Sequence, residues 1–319
     1  MPALLTTAGL LAAGALAFAL ALSLLLRLVW RRMFYRPWGF VDPATSDVDG
    51  IELVDLAEAA DKHLYLWHLP PASPAAPVLV FFDGMRGNLG LWNRRWRRIA
   101  AAGAGFVAVS YRGYGGSTGR PTEEGLLADC RAGRAFAEAR YGRDRVVLHG
   151  YSMGCAFAAR LASEAPARLI LEAATLSIRA NAVRFLPFVL GRVMVRDTLS
   201  VERWLPRLTA PVLFAYGRRD GIVPMDWTLR MFARVSAPKQ IELFDQGNHV
   251  NLSTQGLYPR IWAWLAYAPG AAFAEAMYAE ERAGPHDVFA APVPPVMPSP
   301  SPAMLTRAAG RPVRRLPPA

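Results

Sequence analysis

The sequence contains few of the residues from which disulfide frameworks and metal sites are built. Its 319 residues include 2 cysteines and 5 histidines, and Cys130 and Cys155 are too few for a disulfide framework. The cysteines and histidines show no metal-ligand spacing, and no dinucleotide-binding fingerprint or nucleic-acid recognition motif is visible. We therefore expect no metal site, no cofactor and no nucleic-acid partner.

Lysine is almost absent, although the chain is strongly basic. Lys62 and Lys239 are the only lysines, so arginine supplies nearly all of the net charge of +11. The densest basic stretch is residues 94–98, in which Trp96 lies among arginines. We interpret this stretch as a solvated helix face, with contact to an anionic headgroup or an acidic substrate as the alternative.

The first 26 residues lack any charged side chain and are rich in Leu and Ala. About 20 apolar residues are enough to span a bilayer as a helix. Arginines and aromatic residues follow directly, which is typical of an interfacial anchor. A cleaved signal peptide lacks support because there is no charged n-region and no small-residue cleavage site, and a buried core helix is a third option. We predict a single-pass transmembrane anchor at residues 1–32, with the remainder on the cytoplasmic side because the arginines follow the span.

The rest of the chain divides by composition. We predict a linker at residues 33–50, a folded domain at 51–283 and a disordered proline-rich tail at 284–319. Within the domain, residues 177–206 are longer than one crossover helix requires and are broken by Pro187 and Gly191. We interpret this segment as a short lid, and an extended surface connection is the alternative.

Eight short apolar runs recur between residues 51 and 244 and read as strands: IELV, LYLWHL, VLVFF, FVAVSY, RVVLHG, RLILEA, VLFAYG and IELF. The later runs alternate with stretches of helical period, which predicts a mostly parallel eight-stranded sheet flanked by helices. The first two runs are close together, which allows an antiparallel start.

Ser152 lies in a G-x-S-x-G motif, HGYSMG, between a predicted strand and a predicted helix. In that context the motif is typical of a nucleophile elbow, whose tight turn requires small residues at Gly150 and Gly154. The helix that begins there favours developing negative charge. A serine that only caps a helix is the structural alternative.

A reactive serine needs a base and a carboxylate that orients the base. Asp220 follows the strand VLFAYG, and His249 follows the strand IELF. The carboxyl ends of parallel strands meet at one sheet edge, so we expect Ser152, Asp220 and His249 to be the catalytic residues. Three other carboxylates remain alternatives for the acid: Glu172, Asp226 and Asp245.

The same chemistry needs two amide donors for the developing oxyanion. One is predicted to be the N–H of Met153, which follows the nucleophile. The other is predicted in the loop VFFDGMRGNLG, where we choose the N–H of Met85. The alternative is that Gly84 and Gly87 only form a turn and that the loop has no catalytic function.

The motifs VLVFFDGMRGN, YRGYGGSTGRPTEEGLLAD, HGYSMGCAFAARLA, PVLFAYGRRDGIVP and FDQGNHVNL together resemble the α/β-hydrolase superfamily. The likeness covers roughly residues 50–270 and is similar to a branch of membrane-anchored, small-lidded serine hydrolases. The resemblance implies the α/β-hydrolase fold and the same triad and oxyanion positions. One departure is Asp83, because the family usually has histidine before this glycine. That extra carboxylate either disfavours the oxyanion or binds a cationic group.

These expectations predict a membrane-anchored serine hydrolase that cleaves a carboxylic ester or thioester through an acyl-enzyme. An acyl lipid or an acylated protein is the expected substrate, and protein partners are not specified by the sequence. The alternatives are a serine peptidase or amidase, and an inactive membrane scaffold with a hydrolase-like body.

Overall fold

The structure is a computed structural model. It describes residues 13–22, 24–25, 39–43, 48–56, 62–185 and 199–270, together with residues 10, 34, 35, 46, 195, 273, 275, 314 and 315. Most of the predicted tail, much of the linker and the middle of the predicted lid lie outside the described residues. Within the described residues, no helix combines the length and the apolar character needed to cross a membrane.

All eight predicted strands are present. They are β1 (Glu52–Asp55), β2 (Tyr65–Leu69), β3 (Val78–Phe82), β4 (Gly105–Ser110), β5 (Val146–Tyr151), β6 (Arg168–Glu172), β7 (Val212–Gly217) and β8 (Lys239–Phe244). A two-residue strand β9, Arg314–Arg315, pairs in parallel with β1. The strand order is β8-β7-β6-β5-β3-β4-β2-β1-β9. Strands β3 to β8 are parallel, whereas β2 is antiparallel to both β1 and β4. The predicted sheet and its antiparallel start are therefore confirmed.

The helices lie between the strands, as the alternating pattern predicts. They are α1 (Asn93–Ala101), α2 (Glu123–Tyr141), α3 (Gly154–Glu164), α4 (Ile178–Phe185), α5 (Met225–Ala233) and α6 (Leu257–Trp264). The longest helix, α2, begins at a cap in which the Thr122 side chain accepts a hydrogen bond from the Gly125 amide. Two glutamates in its first turn also stabilise it, because negative charge is favourable at a helix N-terminus.

Alternate residues of each central strand face opposite sides of the sheet and enter two separate cores. Val80 and Phe82 of β3 pack in the core that includes α2 and α3. Leu79 and Phe81 pack in the core that includes α1 and α6. Burial on both faces is why the central strands read as continuous apolar runs.

One expectation was wrong. Residues 94–98 do not form a solvated face, because Arg95, Trp96 and Arg98 of α1 are buried. The apolar residues Trp92, Trp96 and Ile99 recur at helical spacing, so this side of α1 packs against the core. Arg95 enters the core with them, where it pairs with a carboxylate.

Candidate active site

Ser152 lies at the sharp turn between β5 and α3. Its φ is 51°, in the left-handed region that side chains rarely adopt. The turn leaves no room for a side chain at the motif glycines. A Cβ at Gly150 would lie 2.6 Å from the Cα of Cys155, and one at Gly154 would overlap the Phe82 carbonyl. The two glycines are therefore explained by the close approach of β3, β5 and α3.

His249 connects the serine to a carboxylate. Its Nε2 is 3.0 Å from the Ser152 Oγ, and its Nδ1 is 2.8 Å from the Asp220 Oδ2. Ser152 and His249 are 97 residues apart in the sequence, so the sheet brings them together. With Nδ1–H donated to Asp220, Nε2 is left to accept the serine proton.

Asp220 is held in place by the loop after β7. Its Oδ1 accepts hydrogen bonds from the amides of Ile222 at 2.8 Å and Val223 at 2.9 Å, and its side chain is fully buried. Two of the three alternative carboxylates are engaged elsewhere. Glu172 binds Arg95, and Asp245 binds Arg218. The third, Asp226, lies in the first turn of α5.

The loop that follows β3 packs directly on the elbow. A Cβ added at Gly84 would lie 3.4 Å from the Cβ of Ser152 and 3.1 Å from the Tyr151 ring. The Tyr111 hydroxyl donates to the Asp83 carbonyl at 2.9 Å, and the Tyr114 hydroxyl donates to the Met85 carbonyl at 3.0 Å. Two buried tyrosines therefore hold residues 83–85 in place beside Ser152. We call these residues the oxyanion loop after the predicted role of Met85.

The two predicted oxyanion donors differ in their surroundings. Met153 is buried at the start of α3, whereas the Met85 side chain is 38% exposed. Within the described part of the chain, neither backbone amide donates a hydrogen bond to another protein group. Both amides are therefore available to an external acceptor, whereas the Gly84 amide donates to the Asp83 carboxylate.

A buried cluster of charged groups lies behind the elbow. The Arg95 guanidinium donates to both Glu172 carboxylate oxygens, at 2.7 and 2.9 Å, and to the Tyr258 hydroxyl at 3.2 Å. The His149 Nε2 lies 2.8 Å from Glu172. The Glu172 carbonyl also accepts the Ser152 amide at 2.9 Å. Glu172 therefore joins the buried ion pair to the backbone of Ser152.

The ion pair decides the charges in this cluster. Burial favours a raised pKa for Glu172, but Arg95 and His149 outweigh it and lower that pKa to about 2. Burial likewise opposes the charge on Arg95, and Glu172 outweighs it and raises the Arg95 pKa. Burial lowers the pKa of His149 despite Glu172, so the ring is neutral and donates its Nε2–H.

Asp83 behaves differently, because it has no ion-pair partner in direct contact among the described residues. Burial raises its pKa to about 7, against the opposing effects of hydrogen bonds from Trp92 and Gly84 and the charge of Arg95. Both carboxylate oxygens already accept hydrogen bonds from the protein. The structure therefore gives no support to Asp83 as a binding group for a cationic substrate.

Glu172 was predicted only as an alternative acid, and the Arg95–Glu172–His149 cluster was not predicted. A usable signal was the helical spacing of Trp92, Arg95 and Ile99, which puts the arginine on the apolar side of α1. Within the described residues, no group of three His, Cys, Asp or Glu side chains could hold a metal ion. Cys130 and Cys155 are buried and form no disulfide.

A separate cavity of about 350 Å³ opens beside the loop that follows β4. Its lining includes Lys62, His63, Arg112 and Asp129, and none of the triad residues. Two of its charged lining residues, Arg112 and Asp129, form an ion pair with each other at 2.7 Å.

The comparisons with known proteins agree with this architecture. A family model described as serine aminopeptidase, S33, matches residues 73–199. An uncharacterized protein of Mycobacterium tuberculosis is 31% identical over 231 residues, which cover 70% of this chain and 82% of the relative. An uncharacterized membrane protein of Saccharomyces cerevisiae is 28% identical over 251 residues, covering 71% of this chain and 85% of the relative.

Solved structures share the fold at low sequence identity. An alpha-beta hydrolase from Vibrio vulnificus has a TM-score of 0.57 at 22% identity, covering 68% of this chain and 81% of that one. An esterase from Pyrococcus furiosus has a TM-score of 0.55 at 17% identity, covering 73% of this chain and 95% of that one. The chain therefore has the α/β-hydrolase fold. It belongs to the α/β-hydrolase superfamily.

Proposed function

We propose that the protein is a membrane-anchored serine hydrolase that cleaves carboxylic esters or thioesters through an acyl-enzyme. The observation that carries the proposal is the continuous hydrogen-bonded chain from Asp220 through His249 to Ser152, with distances of 2.8 and 3.0 Å. The amides of Met85 and Met153, which donate to no protein group in the described part of the chain, support it.

The proposed reaction has two halves. The Ser152 Oγ attacks the substrate carbonyl carbon while the His249 Nε2 takes the hydroxyl proton, and the Met85 and Met153 amides bind the tetrahedral oxyanion. The imidazolium then protonates the leaving alcohol or thiol, which leaves an acyl-enzyme. Water, deprotonated by His249, attacks that acyl group, and collapse of the second intermediate releases the acid and restores the serine. Asp220 orients His249 and stabilises its charged form.

An acyl lipid or an acylated protein is the proposed substrate. Two apolar side chains near the triad support an apolar acyl group: Met85 and Ile222, which are 38% and 42% exposed. Ile222 follows Asp220 by two residues and donates its amide to it. The word esterase in the name of the Pyrococcus structure agrees with ester cleavage, and the name of the Saccharomyces relative as a membrane protein agrees with the proposed anchor.

The membrane anchor at residues 1–32 is part of the same proposal. Residues 13–22 are helical, and large apolar side chains there, such as Leu16 and Phe18, are more than half exposed. Exposed apolar side chains on a helix are favourable in lipid. The arginines that follow the apolar run support a cytoplasmic location for the hydrolase domain. Protease treatment of sealed, right-side-out vesicles tests the orientation, since digestion of the domain would contradict it.

The full chain in detergent tests the proposed activity. We expect it to hydrolyse a long-chain p-nitrophenyl ester and to react with a fluorophosphonate probe. Ser152→Ala should abolish both, whereas Ser163→Ala on the outer part of α3 should change neither, because its hydroxyl donates only to a local carbonyl. Absence of labelling in the unmodified chain, with Ser152→Ala indistinguishable from it, would refute the proposal.

A peptidase or amidase is the second candidate, and the description of the matching family as a serine aminopeptidase favours it. Amide and ester cleavage share the triad, so only a direct comparison separates them. Hydrolysis of aminoacyl p-nitroanilides faster than of the acyl ester would favour the peptidase. An inactive scaffold would show neither reaction, and its partner binding would be unaffected by Ser152→Ala.

A further inference from the structure

The carboxyl group of Asp83 lies at the start of the oxyanion loop, and both of its oxygens accept hydrogen bonds from protein groups. Asp83 is only 2% exposed. Its Oδ1 accepts the amide of the next residue, Gly84, at 2.6 Å, and its Oδ2 accepts the indole N–H of Trp92 at 2.9 Å. Two hydrogen bonds to a buried carboxylate hold its side chain in one position.

These hydrogen bonds decide which amide of the loop is left over. The Gly84 amide points to the Asp83 side chain, so it is not available to a bound substrate. The carbonyls of Asp83 and Met85 are held by Tyr111 and Tyr114. The Met85 amide remains without a donor–acceptor contact in the described part of the chain.

Trp92 ties the same carboxylate to the wall behind the serine. Its ring packs edge-on against Tyr151 of the elbow at 4.9 Å, and the Arg95 guanidinium lies 4.8 Å from the ring centre. Arg95 in turn holds Glu172, whose carbonyl accepts the Ser152 amide. The oxyanion loop and the nucleophile are therefore fixed to one buried framework.

We propose that Asp83 is a positioning residue: by engaging the Gly84 amide and the Trp92 indole, its carboxylate sets the oxyanion loop so that the Met85 amide faces the developing oxyanion. This inference rests on the proposed serine-hydrolase function. It explains why a carboxylate is compatible with an anionic intermediate, because both of its oxygens are turned to internal donors.

The arrangement also predicts a dependence on pH. The charged and titratable groups that act on Asp83 are Arg95, which favours its ionised form, and Glu172, which opposes it. The charge of Asp83 also contributes to the raised pKa of three surrounding tyrosines: Tyr111, Tyr114 and Tyr151. A protonated carboxyl keeps one acceptor oxygen and turns an O–H toward the other donor, so the loop loses a hydrogen bond as the pH falls through about 7.

Two measurements on the full chain in detergent test the proposal, with Asp83→Asn as the main variant. Asn offers one acceptor for the two donors, so the Gly84 amide should exchange hydrogen at least 10-fold faster than in the unmodified chain. The kcat for the p-nitrophenyl ester and the rate of fluorophosphonate labelling should both fall roughly 10- to 100-fold with KM nearly unchanged. Protection of Gly84 should weaken below about pH 7 in the unmodified chain only.

Two further variants keep the test decisive. Trp92→Phe keeps an aromatic ring but removes the indole donor, and it should lower kcat several-fold. This variant decides the test if Asp83→Asn does not fold. Asp144→Asn, in an exposed turn, is the matched control and should behave like the unmodified chain. Unchanged kcat and Gly84 exchange in Asp83→Asn, or in Trp92→Phe if the former is unfolded, would overturn the inference. If the unmodified chain shows no Ser152-dependent turnover, the proposed function fails, while hydrogen exchange still decides the arrangement of the loop.

Discussion

The buried Arg95–Glu172 pair makes a strong prediction about stability. In Glu172→Gln, the guanidinium of Arg95 keeps its charge but loses its counter-charge in a site where both side chains are fully buried. Removing one partner of a buried ion pair costs about 3–5 kcal/mol. The pKa gives an independent figure, because lowering it from 4.5 to about 2 corresponds to about 3 kcal/mol of folding free energy at neutral pH.

The sign of the pH dependence follows from the lowered pKa. The contribution of ionised Glu172 is complete above its unfolded pKa and is lost as the pH falls toward about 2. The difference between the unmodified chain and Glu172→Gln should therefore be largest near pH 7 and shrink in acid. At neutral pH we expect a loss of roughly 10 °C in the thermal midpoint, measured by circular dichroism of the full chain in mild detergent.

Two controls separate the buried pair from general charge effects. Glu164→Gln breaks the Arg131–Glu164 pair, whose side chains are 46% and 37% exposed, and should cost less than about 1 kcal/mol. Replacing Arg95 and Glu172 together by Met removes both charges and should recover much of the loss, since apolar replacements of buried pairs are often neutral. An equal loss of stability in Glu172→Gln and Glu164→Gln, or a deficit of Glu172→Gln that persists unchanged in acid, would contradict the assigned role of the buried pair.

Three further predictions concern the site. Asp220→Asn should lower kcat by about 10²- to 10⁴-fold with little change in KM, because the His249 tautomer is no longer fixed; steady-state kinetics measures this, and an unchanged kcat would contradict the assigned role. Gly154→Ala should prevent fluorophosphonate labelling, since the added methyl overlaps the Phe82 carbonyl, and normal labelling would show that the elbow can relax. Burial disfavours the ionised form of Asp83 and raises its folded pKa to about 7, so the stability gained from the protonated form is complete below the unfolded pKa and is lost as the pH rises through 7. Thermal midpoints should therefore fall from pH 5 to pH 8 more steeply in the unmodified chain than in Asp83→Asn, and parallel curves would argue against it.

The sheet was predictable because its strands are buried on both faces and therefore appear as uninterrupted apolar runs. The chain order of Ser152, Asp220 and His249, each just after a strand, predicted that they would meet at one edge, and the structure brings them within hydrogen-bond distance. Their catalytic roles stay predictions. The Arg95–Glu172 contact joins residues 77 apart in sequence, and neither residue alone specifies the other.

The burial of Arg95 was hard to predict from composition. Arg95 lies among other arginines, and a run of charged residues predicts a solvent-exposed helix face. Its burial is instead decided by Trp92, Trp96 and Ile99, which lie on the same side of α1. The donors to Asp83 are close in sequence, since Gly84 is the next residue and Trp92 lies 9 residues further on, but only the folded loop brings the Trp92 indole to the carboxylate. The extra carboxylate could therefore be identified from the sequence, whereas its burial and its hydrogen bonds are seen only in the structure.

The backbone geometry at Ser152 restricts what else could occupy that position. A φ of 51° is most costly for side chains branched at Cβ. Threonine would therefore meet a steric penalty there even though it carries a hydroxyl, whereas cysteine has the same unbranched shape as serine. An evolutionary route from this scaffold toward thiol chemistry is consequently open, and a route toward a threonine nucleophile is closed unless the elbow itself is rebuilt.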